Sequence, residues 1–237
     1  MVSFSFNGKK NDRIYMLAGR TKAPFAPLVR EFVKYGSRYH LKKTETELLD
    51  IIQPIGYKAK TYEEALEIKN SLAPWLVTED LVPLIFDDEP GLIYWSVVEG
   101  TLEDLQRVER SILWEGTIKF KCSLVTGQNR TLSIGTSFTN HNVISQKKSF
   151  WTSRTVFNTN ASRYVIENNV GGKIIINFNF VPTDILEIDA EKRKITINGN
   201  LQMPSIDLMS DWFVLEPGTN RLKASHTTTV SYVQTYQ

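Results

Sequence analysis

The sequence lacks the features that mark a secreted, disulfide-stabilised or membrane-spanning protein. It contains one cysteine, Cys122, which excludes an intramolecular disulfide and fits a protein made in a reducing cytoplasm. No apolar run approaches the roughly 20 residues that a membrane helix needs, and no basic-then-apolar segment at the N-terminus resembles a signal peptide. We therefore expect a protein that is made in the cytoplasm and has no membrane partner.

Excess charge of one sign is also missing. The formal net charge is +2 and the isoelectric point is about 8.5, which is too weakly basic for a protein that binds nucleic acid through a concentrated positive face. The composition, with 41% hydrophobic and 23% charged residues, is typical of a globular protein. These values predict no sequence-specific binding of nucleic acid.

Residues in the pattern of an active site or a metal site are scarce. Asp87, Asp88 and Glu89 are adjacent in one turn, so they cannot face each other across a substrate as a glycosidase pair does, and we interpret them as a solvated turn. Cys122 alternates with polar residues in a strand pattern, which predicts a buried and inert thiol. No histidine has a second ligand at metal-binding spacing; the three are His40, His141 and His226. We expect no catalytic, cofactor-binding or metal-binding residues, no cofactor and no enzyme activity.

Strand patterns are what the sequence does contain. Aromatic residues make up 11% of the chain, and apolar and polar residues alternate with the period of two that is typical of strands with one buried face. Asp184–Asp189 and Lys194–Ile197 predict a hairpin that is closed by Ala190–Arg193 and ends at Asn198-Gly199. Three further hairpin or strand signals lie at 84–98, 164–180 and 226–236, and two weaker strand candidates lie at 31–35 and 44–55. The sequence therefore predicts a mainly β protein.

One helix is predicted after residue 60. Thr61 and Glu64 form a capping box, and apolar residues recur from Ala65 onward at helical spacing. Pro74 is expected to stop this helix near Ala73, because proline cannot continue the helical hydrogen bonds.

The chain is long enough for two domains. We place the boundary in the polar stretch Thr126–Asn129, which has the composition of a turn, giving domains 1–127 and 128–237. From Ser137 to Ser153 the alternation is poor, so that Phe150 and Trp151 are expected to lie in a loop.

Two sets of residues resemble one known family. Near the C-terminus, Trp-x-x-Leu-x-Pro-Gly-x-Asn is similar to the end of siphophage distal tail proteins, the Dit family. The first half repeats that family's succession of an opening Phe-x-Phe-Asn-Gly, a capped helix, a hairpin and a Phe-x-Cys strand. The motif residues are Trp212, Leu215, Pro217, Gly218 and Asn220.

The resemblance implies a fold and an assembly. It implies two β-sandwich domains, of which the N-terminal one carries a single α-helix and the C-terminal one is galectin-like. It implies a non-enzymatic virion protein of the tail tip or baseplate, a homohexameric ring with a channel for DNA. Its partners would be the tail tube protein, a tail-associated fibre or lysin protein, and a receptor-binding or baseplate protein. Phe4 and Phe6, in the first strand, are candidates for the contact between ring subunits.

A carbohydrate-binding module that recognises the host cell wall is the alternative, and a β-sandwich hydrolase is a more distant one. The alternative needs an exposed aromatic platform on which a glycan can stack, and Phe150 with Trp151 is the candidate. We favour a packing role for Trp151, in the sandwich or against a neighbouring subunit. The hydrolase needs converging acid and base groups, for which the sequence shows no spacing.

Overall fold

The computed structural model describes residues 3–100, 103–108 and 112–236, and for 103–107 it describes the backbone. The chain forms two compact units, which divide between Thr126 and Gly127. Strands dominate both units, and one α-helix is found in the described residues, so the predicted mainly β fold class is confirmed. Within that described part, no helix is long and apolar enough to cross a membrane.

The N-terminal unit is built on one antiparallel sheet that carries a helix. The sheet runs in the order β1-β7-β8-β10-β6, with β2 and β3 along the outer side of β6 and β9 beside β10. Strands β4 and β5 form a separate hairpin. The elements are β1 Phe4–Phe6, β2 Ile14–Met16, β3 Thr21–Lys22, β4 Leu28–Tyr35, β5 Arg38–Thr46, β6 Leu49–Lys58, α1 Tyr62–Leu76, β7 Val82–Phe86, β8 Ile93–Val98, β9 Glu103–Arg107 and β10 Leu113–Ile134, whose last part belongs to the second unit.

Aromatic side chains fill the core of this unit. The Phe4 ring stacks on Trp75 of the helix at 5.0 Å between centroids and meets the edge of Phe120 at 5.8 Å. Phe4 and Phe6 are both fully buried in their own chain. The expectation that they form a subunit contact is therefore not supported, since they expose no surface to a neighbour.

Helix α1 starts as predicted and ends later than predicted. The backbone N–H of Glu64 donates to the Thr61 hydroxyl at 3.2 Å, while the Glu64 carboxylate accepts from the N–H of Lys60 at 2.8 Å. The helix passes through Pro74 and ends at Leu76. Proline in the last turn removes only one N–H donor, and the burial of Trp75 and Leu76 holds that turn in place.

The turn between β7 and β8 is less solvated than its three acidic residues predict. Arg20 forms an ion pair with Asp88, and Lys22 lies 2.9 Å from a Glu89 carboxylate oxygen. The Tyr94 hydroxyl donates a hydrogen bond to Glu89. Burial alone raises the pKa of Glu89, but the hydrogen bonds from Tyr94 and Lys22 outweigh it, so the pKa lies below its usual 4.5. This cluster attaches the turn to β3 and β8.

We expect Glu89→Gln to reduce the acid sensitivity of the fold. A carboxyl group whose pKa is lowered by folding contributes stability above its ordinary pKa of 4.5, and that contribution disappears as pH falls through the lower folded value. In thermal melts, the variant should be less stable than the wild type above about pH 5, and the difference should shrink as pH falls below the ordinary pKa of 4.5. Glu79→Gln, at an exposed position of the same unit, is the control. A difference in melting temperature between wild type and Glu89→Gln that stays the same at every pH would contradict this role.

The C-terminal unit is a sandwich of two antiparallel sheets. The end of β10 continues as β10-β19-β12-β15-β16-β17 in one sheet, and β11-β18-β13-β14 form the other. Apolar side chains from both sheets make its core. Its remaining elements are β11 Thr139–Val143, β12 Trp151–Val156, β13 Ala161–Asn168, β14 Lys173–Phe180, β15 Ile185–Asp189, β16 Lys194–Ile197, β17 Asn200–Leu201, a 3-10 turn Met203–Ser205, β18 Gly218–Ala224 and β19 Thr228–Tyr236.

The predicted hairpin of β15 and β16 is confirmed, and the structure gives its register. Leu186 pairs with Ile197 and Ile188 pairs with Ile195, and all four side chains are buried. Asn198 and Gly199 both have positive φ, at 50° and 79°, which is the backbone that a tight turn of this type requires.

Two sequence interpretations of this half are wrong. Thr126–Asn129 is not a turn, because β10 runs straight through it. Gly127 is required there by close packing, since a Cβ atom would lie 2.7 Å from the ring of Tyr236. Ser137–Ser153 is not a plain loop either: β11 lies within it, and Trp151 begins β12.

A fragment that starts near Gln128 is expected to fold by itself. The core of the C-terminal sandwich is made by residues of that fragment, so its burial does not depend on the N-terminal half. Urea unfolding of the fragment, followed by tryptophan fluorescence, should give one cooperative transition. The matched control is a fragment that starts at Val143, which lacks the β10 segment and β11 and should unfold without cooperativity. Absence of a transition in the longer fragment, with one in the full chain, would disprove the independence of this domain.

Candidate assembly surface

The hairpin of β4 and β5, residues 28–46, is the part of the chain that its own fold leaves uncovered, and we call it the hairpin arm. Among the described strands these two pair only with each other, from Leu28 opposite Thr46 to Tyr35 opposite Arg38. Gly36, with φ of 61°, makes the turn between them. A two-stranded hairpin alone is at best marginally stable in water, so the arm gains little stability from its own contacts.

Large apolar and aromatic side chains on the arm are exposed. Tyr35 and Tyr39 are each about 70% exposed, and Phe32 and Leu41 are each more than half exposed. Apolar side chains grouped on one exposed element are characteristic of surfaces that bind another protein. The arm is therefore the best candidate for a contact with another chain.

The two faces of the arm differ in charge. Side chains alternate between faces along a strand and share a face with their cross-strand partners, so Phe32, Leu41, Lys34 and Tyr39 lie on one side. Arg30 lies on that side as well, and this basic face contains no acidic residue. The opposite, mixed face carries residues of both signs; its members are Val29, Glu31, Val33, Tyr35, Arg38, His40, Lys43 and Glu45.

The acidic residues of the arm are already neutralised within it. Glu31 pairs with Lys42, the extra residue of a bulge in β5, at 2.6 Å, and Glu45 pairs with Lys43. Within the part of the chain that the structure describes, Arg30 and Lys34 have no carboxylate partner, and Lys34 lies over the Tyr39 ring at 5.7 Å. The basic face thus combines apolar surface with uncompensated positive charge.

Sequence reasoning missed the arm as a site. It identified strand candidates at 31–35 and 44–55 without recognising that they flank a hairpin with no further partner. The available signal was the mixture of aromatic and charged residues on both faces, which leaves neither face suitable for a core.

The residues predicted as a glycan platform point in different directions. Trp151 is buried, its indole N–H donates to the Phe213 carbonyl at 2.9 Å, and the two rings lie 5.0 Å apart. Phe150, its neighbour in the chain, is half exposed. Trp151 begins a strand whose alternate side chains face the core, so it does not form a continuous aromatic surface with Phe150.

The C-terminal motif stabilises a bend in the chain. Leu215 is buried and exchanges backbone hydrogen bonds with Ser149. The Asn220 side chain accepts from the N–H of Glu216 at 2.9 Å and donates to its carbonyl, while Gly218 adopts a positive φ of 87°. Trp212 packs, partly buried, against the core, and Pro217 is exposed. These contacts give the motif a structural role.

Other groups that could carry chemistry are engaged in packing. Burial raises the pKa of the Cys122 thiol to about 11, which leaves it protonated and unreactive near neutral pH. The buried Tyr164 hydroxyl lies in a hydrogen-bonded cluster with Thr155 and Thr228. Among residues 3–100, 103–108 and 112–236, no cluster of three or more His, Cys, Asp or Glu side chains could hold a metal ion.

Two family models match this chain, and together they cover more than half of it. The first, described as a siphovirus-type tail component, C-terminal domain, matches residues 144–236. The second, a phage tail protein RIFT-related domain, matches residues 33–122, which include most of the arm. The chain belongs to the siphophage distal tail protein family. The prediction made from the two sets of sequence motifs is confirmed.

Individual relatives of this family agree with that membership. The distal tail protein of Bacillus phage SPP1 is 29% identical over 162 residues, which are 65% of this chain and 63% of that protein, so the match spans less than two thirds of the relative. The crystal structure of SPP1 Dit, described as a paradigm of the hub adsorption apparatus in phages that infect Gram-positive bacteria, has a TM-score of 0.85 at 18% identity over the whole of both chains. The two proteins share a fold. A phage P2 baseplate structure, with a TM-score of 0.48 and 7% identity, is too dissimilar to support an argument.

Trp151→Ala is expected to destabilise the C-terminal domain, and Phe150→Ala is its matched control. Removing a buried tryptophan should lower the free energy of unfolding by about 3–5 kcal/mol, whereas removing the half-exposed phenylalanine should change it by about 0.5 kcal/mol or less. Denaturant unfolding of both variants measures the difference. A Trp151→Ala variant with wild-type stability and lost binding to host cell walls would contradict the packing role and support a glycan site.

Proposed function

We propose that this protein is the distal tail hub of a siphophage, a non-catalytic structural component that forms a closed ring of six copies. The ring would join the tail tube to the baseplate or tail-tip fibre proteins and leave a channel for DNA. Family membership and the fold shared with SPP1 Dit support the hub role. The observation that carries assembly is the hairpin arm, on which Phe32, Tyr35, Tyr39 and Leu41 are each more than half exposed in the described structure.

An exposed arm on one surface leads to a ring for a geometrical reason. If the arm binds a different surface of an identical copy, each subunit offers one arm and one receiving surface, and the contact repeats until the rotation closes. Full burial of one side chain such as Phe32 or Leu41 contributes about 1.5–3 kcal/mol, so a few of them can hold neighbouring subunits together. The arm then acquires the covering layer that its own fold lacks.

The proposed location and partners follow from the hub role. The protein would sit at the tip of the virion tail, after synthesis in the cytoplasm of the infected cell. Its partners would be the tail tube protein above, and a tail-associated fibre or lysin protein and a receptor-binding or baseplate protein below. The C-terminal sandwich, as the second domain, would offer the receptor-binding or baseplate proteins their attachment surface.

Carbohydrate binding receives less support than the hub role. A glycan platform needs at least one well-exposed aromatic face, and the candidate pair is reduced to Phe150 by the burial of Trp151. We therefore do not propose the lectin function as a second candidate.

Loss of apolar surface on the arm should impair assembly. Phe32→Ser combined with Leu41→Ser removes two exposed apolar side chains from one face of the arm, so the folded subunit should persist while the ring weakens. Light scattering after gel filtration should show hexamers for the wild type and smaller species for the variant at the same concentration, and electron microscopy should show rings only for the wild type.

The matched control is Val170→Ser, which changes an exposed valine in the β13–β14 turn of the other unit. This control should assemble normally. A wild-type protein that stays monomeric at high concentration, and forms no rings even with its tail partners present, would disprove the proposed hub.

A further inference from the structure

We propose that the basic face of the hairpin arm binds the outer face of helix α1 on the next copy of the chain. This inference rests on the proposed ring and specifies the surface that receives the arm. The arm supplies Phe32 and Leu41 between the cations Arg30 and Lys34, with Tyr39 opposite Lys34. The receiving surface must therefore be apolar, acidic and exposed.

The outer face of α1 has these properties. At 3.6 residues per turn, the buried residues Ala65, Ile68, Leu72, Trp75 and Leu76 all lie on one side of the helix. Glu63 and Glu67 then lie on the opposite side, with Leu66 beside them, and Tyr62 lies at the edge of this face, where its ring is 6.4 Å from that of Trp114. Leu66 is about half exposed and Tyr62 is 70% exposed, which is unusual for apolar side chains on a helix that already has a buried face.

The carboxylates of this face have no cation beside them among the described side chains. Glu63 and Glu67 are spaced by four residues, so they lie one turn apart and repel each other. In the part of the chain that the structure describes, neither has an ion-pair partner, whereas Asp87 and Asp88 nearby in the sequence are paired with Lys10 and Arg20. The one basic residue of the helix, Lys69, lies at the edge of the outer face. A cation from another subunit would relieve the repulsion.

The two surfaces also match in length. Eight residues of β4 extend for about 27 Å at the rise of a strand, and fifteen residues of α1 extend for about 22 Å at the rise of a helix. Val77, directly after the helix, is three-quarters exposed, and Glu79 and Asp80 beyond it are exposed as well. The arm can thus lie along the whole helix with Arg30 and Lys34 within reach of carboxylates.

Charge reversal on both surfaces of the full-length protein tests this contact. Two double variants should each raise the protein concentration needed for half-assembly about tenfold or more, because attractions become repulsions. They are Arg30→Glu with Lys34→Glu, and Glu63→Lys with Glu67→Lys. The chain with all four substitutions should return to within about threefold of the wild type, since the pairs are restored with opposite sign.

The matched control reverses one cation on the other face of the same hairpin. Arg38→Glu changes the net charge by the same amount as Lys34→Glu alone and should shift half-assembly less than Lys34→Glu does, because the Arg38 side chain points away from the contact. Thermal melts of every variant, taken below the concentration of assembly, should stay near the wild type, since all five positions are exposed.

Cross-linking gives a second, independent readout. A Phe32→Cys chain mixed with a Leu66→Cys chain should form a disulfide-linked dimer under mild oxidation, and a Tyr35→Cys chain in place of Phe32→Cys should not. The native Cys122 is buried and does not compete. Wild-type rings that show neither the charge effects nor the cross-link would overturn this inference and leave the hub proposal standing. If the wild type forms no rings and the cysteine variants form no cross-link, both this inference and the hub proposal would be overturned.

Discussion

An antiparallel pair of strands that has no third strand and no second layer cannot bury side chains on either of its faces. The hairpin arm is such a pair, whereas the other described strands belong to larger sheets. The chain nevertheless places Phe32, Tyr35, Tyr39 and Leu41 on the arm. This combination of exposed apolar side chains and a bare two-stranded sheet is the reason for proposing that the arm contacts another molecule.

The aromatic residues of the chain divide between these two situations. Most of them pack inside the two units, as the stacked Phe4 and Trp75 do in the first core and Trp151 and Phe213 do in the second. Buried rings exclude water and fix the positions of sheets and helix, but they offer nothing to a ligand. Exposed rings are the ones that can contact another molecule, and the arm carries three of them within eight residues.

Charges divide in the same way. In the turn between β7 and β8, oppositely charged groups of the same chain form ion pairs, as Lys22 and Glu89 do beside Tyr94. On the basic face of the arm and on the outer face of α1, charges of one sign gather without an ion-pair partner in the described structure, and they form no ion pair that stabilises their own fold. Exposed ion pairs contribute little to affinity, so complementary charge mainly selects the partner and its orientation, while buried apolar surface supplies the binding energy.

The sequence by itself determined the local structure, because period-two alternation, the Thr61 capping box and the Asn198-Gly199 turn depend on near neighbours. It also determined the family, through motifs that are contiguous in the chain. Tertiary structure decided what depends on distant residues. In the folded chain β10 continues through the predicted turn at Gly127, where Tyr236 packs, and Trp151 is buried against Phe213. It also showed that the strands of the arm have no further partner, since strand pairing is set by contacts far apart in the sequence.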